Sequence, residues 1–244
     1  METKSLLPHV WDVPEVFRKR LGSKAGRQRT MMADGHLLLV LHQPPEPDEV
    51  ERRGRFIWRQ PDGTWTSNDL GSGPSVMNRH LDQFAEVIHK YDEMEENATS
   101  ADDYFAVLEA VAPIHRSTRH LHQVLQEARQ AFPDVREIIN FRDRAYEIER
   151  TAELLYSETK NALDFAVAKQ AEEQAKASHR MAVSAHRLNV LAAFFFPLAT
   201  LSAIFGVNLL HGFEDLPPPV PFLMMLGAGL LSGILLMKFI TRAG

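Results

Sequence analysis

Three groups of side chains in this sequence have types and spacings that could do chemistry. The first is Asn208, close behind Gly206 at the end of a long apolar run, with Glu214 and Asp215 a few residues on. Magnesium gives up its waters reluctantly, so a neutral amide oxygen is a suitable ligand for its first hydration shell. A ring of such oxygens would handle a hydrated divalent cation, Gly206 would permit a tight turn, and the two acids would raise the local cation concentration. Asparagine is also common at helix ends, so Asn208 could simply cap one. The second group is acidic: Asp92, Glu93, Glu95, Glu96, Asp102 and Asp103 straddle a turn between two helices. It reads either as a solvated face or as a regulatory divalent-cation site between subunits. The third is His115, His120 and His122, whose spacings of five and two do not stack two imidazoles on one helix face, so a solvated surface is expected. No Ser/His/Asp or zinc-ligand spacing rises above chance, and no glycine-rich loop follows a strand, so no enzyme is expected. With 0 cysteines, disulfides and thiolate zinc sites are ruled out.

Asn208 must be positioned by the apolar runs around it. The 244 residues are 45% hydrophobic and 24% charged, an average like that of a soluble protein, but the apolar residues are unevenly placed. Residues 188–210 carry strong polarity only at Asn189, Thr200, Ser202 and Asn208; residues 220–240 carry it only at Ser232 and Lys238. Each run approaches the ~20 residues that cross a ~30 Å hydrocarbon core as a helix. Pro197 is tolerable there, because neighbouring helices can satisfy the carbonyl it frees. No signal peptide is evident at the N-terminus. The connection 209–219 has no lysine or arginine, whereas Lys176, Arg180 and Arg187 flank the first run and Lys238 and Arg242 end the second. That bias predicts both termini in the cytoplasm, a proline-stiffened loop outside, and an integral protein of the cell (inner) membrane in contact with its lipids.

Upstream, residues 134–187 read as a stalk helix. No glycine occurs from Ser75 to Phe205, and Ile138, Phe141, Ala145, Ile148, Ala152, Leu155, Thr159 and Ala162 recur at steps of three and four. The stripe then turns alanine-rich through Ala168, Ala171, Ala175, Ala182 and Ala185, which suits close approach of identical helices. A helix over 134–208 would be roughly 110 Å long at ~1.5 Å per residue, more than a small domain needs. Further helices are expected near 77–97 and 101–131, the second capped by Ser100 with Asp102 and Asp103 and bent or broken at Pro113. About three strands are expected: His36–His42 (HLLLVLH), then Arg55–Gln60 and Thr64–Asn68 around the hairpin turn Pro61-Asp62-Gly63. The first ~30 residues read as a flexible basic tail, or as a surface drawn to anionic lipid headgroups.

The expected fold class is therefore α+β, mainly α. It has a small sheet with helices over 31–133, the stalk helix over 134–187, and a two-helix transmembrane hairpin over 188–244. Arg187, Lys238 and Arg242 against Glu214 and Asp215 leave the C-terminal part at +1, so the net charge of −5 puts −6 on the first 186 residues. An acidic soluble part argues against nucleic acid as a partner.

Pro197, then Gly206-Val207-Asn208 at the outer end of the first span, then a short acidic, proline-rich loop and a second span with a basic end, resemble the CorA family of divalent-cation channels. That family carries Gly-Met-Asn at the outer mouth; Gly-Val-Asn departs from it in the middle residue. The resemblance implies a homopentamer around the first span, with Ala185, Leu188, Phe196, Ala199 and Asn208 on the pore face and Phe196 as a dewetting constriction. A family threonine on that face is matched by Ala199, with Thr200 beside it. Magnesium, or another divalent cation, would be the substrate, with no tightly bound cofactor. An alternative is a membrane effector or scaffold that keeps the pore fold and answers another cytosolic ligand, suggested by a sheet smaller than the family's.

Overall fold

The computed structural model describes residues 6–46, 51–206, 212 and 215–243. The chain divides into two units, Met1–Ala168 and Lys169–Gly244.

In the first unit the central element is β2 of a four-stranded antiparallel sheet. Its strands are β1 (Arg29–Ala33), β2 (His36–His42), β3 (Gly54–Arg59) and β4 (Trp65–Ser67), in the order β1-β2-β3-β4. Strand β2 is apolar at every interior position, and side chains alternate across a strand, so both sheet faces must be covered. Leu37, Leu39 and Leu41 pack with Ile57 and Trp65 against the helices. Leu38 and Val40 pack with Phe56 and Trp58 against the N-terminal segment. The hairpin at 61–63 forms as expected: Gly63 takes φ 91°, and Asp62 Oδ1 accepts from the Thr64 N–H at 2.8 Å.

The N-terminal segment corrects one expectation. Among the described residues of the supposed tail, Leu7, Trp11, Val13 and Phe17 are buried, and Glu15–Arg20 forms a short helix, α1. Arg18 donates to the carbonyls of Pro8 (3.1 Å) and Trp11 (2.7 Å) and so closes this segment on itself. The physical reason is β2: an alternating strand can leave one face wet, but a strand apolar on both faces cannot. A fourth strand, β1, also lies beyond the three expected.

Three helices cover the other face: α2 (Ser75–Glu96), α3 (Ala101–Ala131) and the first part of α4 (Arg136–Gly206). Ser100 begins α3 with a reciprocal cap, its hydroxyl accepting from the Asp103 N–H and the Asp103 carboxylate accepting from the Ser100 N–H. The helix runs unbroken through Pro113. On α4 the expected stripe is buried from Ile138 to Thr159 and ends at half-buried Ala162. The helix then continues without interruption through Pro197 to Gly206.

In the second unit the last part of α4 is accompanied by α5 (Val220–Ala243). Both are long and apolar enough to cross a membrane, and the most apolar window of α4 has none of its residues buried. Leu188, Phe196 and Phe239 are 66%, 70% and 73% exposed, more apolar surface than a helix pair leaves to water.

Candidate functional site

The two apolar helices touch through one face of α4. Gly229 and Gly233 of α5 lie against Leu198 and Phe194, Ser202 Oγ stands 3.7 Å from Met225 Sδ, and Leu201 and Phe205 line a shared apolar cleft with Met224 and Ala228. At about 100° per residue, Phe194, Leu198, Leu201 and Phe205 fall within one arc of about 60°. Ala185, Leu188, Phe196 and Ala199 fall within another of about 80°, and the two arcs are centred roughly 150° apart. These four expected pore residues therefore share one face, it is exposed, and α5 does not occupy it. Thr200, the neighbour of Ala199, donates its hydroxyl to the Phe196 carbonyl at 2.8 Å.

Gly206 is the last residue of α4. Val207, Asn208 and Glu214 lie outside the described residues, and Asp215 is described and exposed shortly before α5 begins.

In the first unit the six acids are pulled in different directions. Asp103 is committed to the cap of α3, and hydrogen bonds from Ser100 and Thr99 hold its carboxyl below the usual range. Glu93 lies 3.5 Å from His89. Glu95 is pushed up by burial first and then by Glu158, Asp92 and Glu96, so α4 adds an acid that the linear cluster did not contain. Among the described residues no group of three His, Asp or Glu side chains converges on a point where a metal could sit. Two of the histidines make contacts within the chain, His115 stacking on Tyr156 and His122 Nδ1 lying 2.5 Å from Glu149 Oε2, while His120 is exposed as expected. His122 is thus partly covered, where a solvated surface was expected.

Two features escaped the reading of the sequence. One is a buried polar network centred on Arg55, which is 3% exposed. Its guanidinium donates to Asp69 (2.9 Å), to Gln83 Oε1 (2.6 Å) and to His80 Nδ1 (2.8 Å), tying β3 to α2. Nothing in the spacing of these residues signals that they meet. The other is the Gly229/Gly233 pair, whose four-residue spacing in an apolar helix is a readable signal for close helix packing.

The profile of the family described as "CorA-like Mg2+ transporter protein" matches residues 74–242. No curated protein matches this chain. Among solved structures it resembles the cytoplasmic domain of ZntB from Vibrio parahaemolyticus, with 13% identity, a TM-score of 0.53, and coverage of 66% of this chain and 80% of that one. At that identity the likeness concerns the fold. The full-length CmaX protein gives 12% identity and TM-score 0.49, covering 93% of this chain and 80% of that one. The CorA magnesium transporter from Methanocaldococcus jannaschii gives 11% and 0.47, covering 91% and 80%. The profile spans more than two thirds of the sequence, from the start of α2 through α5, and on that ground the chain belongs to the CorA-like Mg2+ transporter family.

Proposed function

We propose that this protein is a passive, homopentameric pore for divalent cations, magnesium before zinc, cobalt or nickel, lined by the last part of α4. Family membership supports the general part of this statement, transport of divalent metal ions by an integral membrane protein. The observation that carries the finer part is the exposed face of Ala185, Leu188, Phe196 and Ala199, turned away from α5. Copies assembled on that face would enclose a narrow, largely apolar tube, closed to ions while Phe196 keeps it dry and open when it is wetted. At its outer end Asn208 would offer neutral oxygens to a hydrated cation, with Gly206 allowing the turn. Glu214 and Asp215 would draw cations to the mouth. Ions move down their gradient and no bond is made or broken.

The surplus of lysine and arginine on the outer flanks supports an inner-membrane protein with both termini in the cytoplasm. The regulatory role of the acids on α2 and α3 is kept as a between-copies proposal. Asp92, Glu95 and Glu96 are its best members, because Asp103 already has partners in its own chain.

Growth of a host lacking its own magnesium uptake tests this reading. Expression should restore growth at low magnesium, and the detergent-solubilised particle should have five times the chain mass. Failure to restore growth by a protein that reaches the membrane as a pentamer would favour the effector reading. A monomer or dimer at near-native lipid content would reject the pore.

A further inference from the structure

Helix α4 has one weak turn. Pro197 has no N–H to give the carbonyl of Ala193, so the backbone of 193–197 lacks a rung that every other turn of an α-helix can make. That turn also carries Phe196, the proposed constriction. The second span meets α4 at this place with backbone rather than side chain. A methyl group at Gly233 would stand 2.5 Å from the Phe194 carbonyl oxygen and 3.3 Å from its carbon. One at Gly229 would stand 2.8 Å from Leu198 Cδ1 and 3.2 Å from Leu198 Cα. Between the two glycines, Ser232 turns its hydroxyl back onto the carbonyls of Ala228 (2.7 Å) and Gly229 (3.1 Å) and adds no polar group to the contact. Gly227, on the same helix, has nothing within 4 Å of where its methyl would be.

We infer that Gly229 and Gly233 are positioning residues for the pore: they let the α5 backbone brace the proline-weakened turn of α4 and thereby fix the rotation that aims Phe196 and Ala199 away from α5. This rests on the pore reading above. At Gly233 the obstacle is backbone, which cannot swing aside, so a side chain there must push the helices apart or turn α4. At Gly229 the nearest atom is the tip of Leu198, so shortening that side chain should restore part of the room.

The test uses full-length protein carrying Ser202→Cys and Met225→Cys, the only thiols in a chain with 0 cysteines, joined by a short bifunctional thiosulfonate reagent in liposomes. Gly233→Ala should slow cross-linking at least tenfold, while Gly227→Ala leaves it within twofold of the parent. Gly229→Ala should slow it several-fold, and adding Leu198→Ala should recover at least half of the loss. In the cysteine-free background the same variants are compared for flux of magnesium against cobalt. Gly233→Ala should change the ratio of the two at least threefold while the particle mass stays that of the parent. Cross-linking unaffected by Gly233→Ala, or no recovery in the Leu198→Ala double variant, would overturn the inference. So would an unchanged flux ratio in an assembled Gly233→Ala particle. A parent that conducts neither ion would sink the pore reading and with it the selectivity role; the cross-linking series would then still decide whether the brace exists.

Discussion

His80 is completely buried, and the Arg55 guanidinium donates to its Nδ1 at 2.8 Å. Arginine only donates, so Nδ1 must accept and the ring proton must sit on Nε2, which has no hydrogen-bond partner among the described residues. Burial first, and the positive charge of Arg55 second, lower the His80 pKa from 6.5 to about 3, with Asp69 opposing. The sign follows from proton counts: below 6.5 the unfolded chain binds a proton at this residue that the folded chain refuses until about pH 3. Stability from the neutral imidazole is therefore complete above 6.5 and is lost as pH falls, at about 1.4 kcal/mol per pH unit. Moving from pH 7.5 to 5.0 should cost about 2 kcal/mol at this one site. Urea unfolding of the detergent-solubilised protein, followed by tryptophan fluorescence, measures it cleanly. All three tryptophans, Trp11, Trp58 and Trp65, lie in the first unit, so the signal reports that unit alone. His80→Gln keeps an acceptor for Arg55 and cannot titrate, so its stability should change about 2 kcal/mol less over the same interval. Equal pH dependence in parent and His80→Gln would refute the reasoning.

Phe17→Ala should destabilise the first unit by roughly 3–5 kcal/mol in the same assay, because this side chain is buried against the second face of the sheet; a change under about 0.5 kcal/mol, ordinary for a surface site, would restore the flexible tail. Ser100→Ala removes the hydroxyl that caps α3 and should cost about 1 kcal/mol in urea unfolding. Asp69 is raised by burial but lowered more by its hydrogen bonds to Arg55 and Ser67, so its pKa lies below 3.8 and its stabilisation is present above that value and lost as pH falls through the folded pKa. Asp69→Asn should accordingly flatten the acid limb of the stability curve below about pH 4. A cysteine introduced at Leu210 should react with an impermeant thiol reagent on intact cells, and labelling only after lysis would reverse the topology.

Much of the fold was legible because periodicity reports which face of an element is covered. The stripe on α4 is buried at Ile138, Phe141, Ala145, Ile148, Ala152, Leu155 and Thr159, as its three-and-four spacing requires. Ser100 caps α3 through Asp103, and the turn at 61–63 forms a hairpin. The N-terminal segment was not legible by the same means. Its buried residues, Leu7, Trp11, Val13 and Phe17, follow no period, and its cations suggested solvent. The clue lay in β2, where Leu38 and Val40 have to be covered by something other than the helices that cover Leu37, Leu39 and Leu41. Strand β1 had its signal too, since Asp34-Gly35 is a two-residue hairpin sequence between Met31-Met32-Ala33 and the run that begins at His36, and both residues take positive φ. The Arg55 network was invisible because tertiary contacts joining residues 14 to 28 positions apart leave no local pattern. Of the candidate site, the common face of Ala185, Leu188, Phe196 and Ala199 follows from helix geometry alone once α4 is known to be continuous.

The central claim is that divalent cations pass through a pore whose outer end depends on Asn208. Flux of magnesium, zinc, cobalt and nickel into liposomes carrying the purified protein, set beside Asn208→Leu, tests it most directly. The parent should admit magnesium down its gradient without an energy source. The variant, with similar bulk and no oxygen acceptor, should assemble to the same mass and lose at least tenfold of the flux. A parent that admits none of the four ions, or an assembled Asn208→Leu that conducts like the parent, would contradict the account.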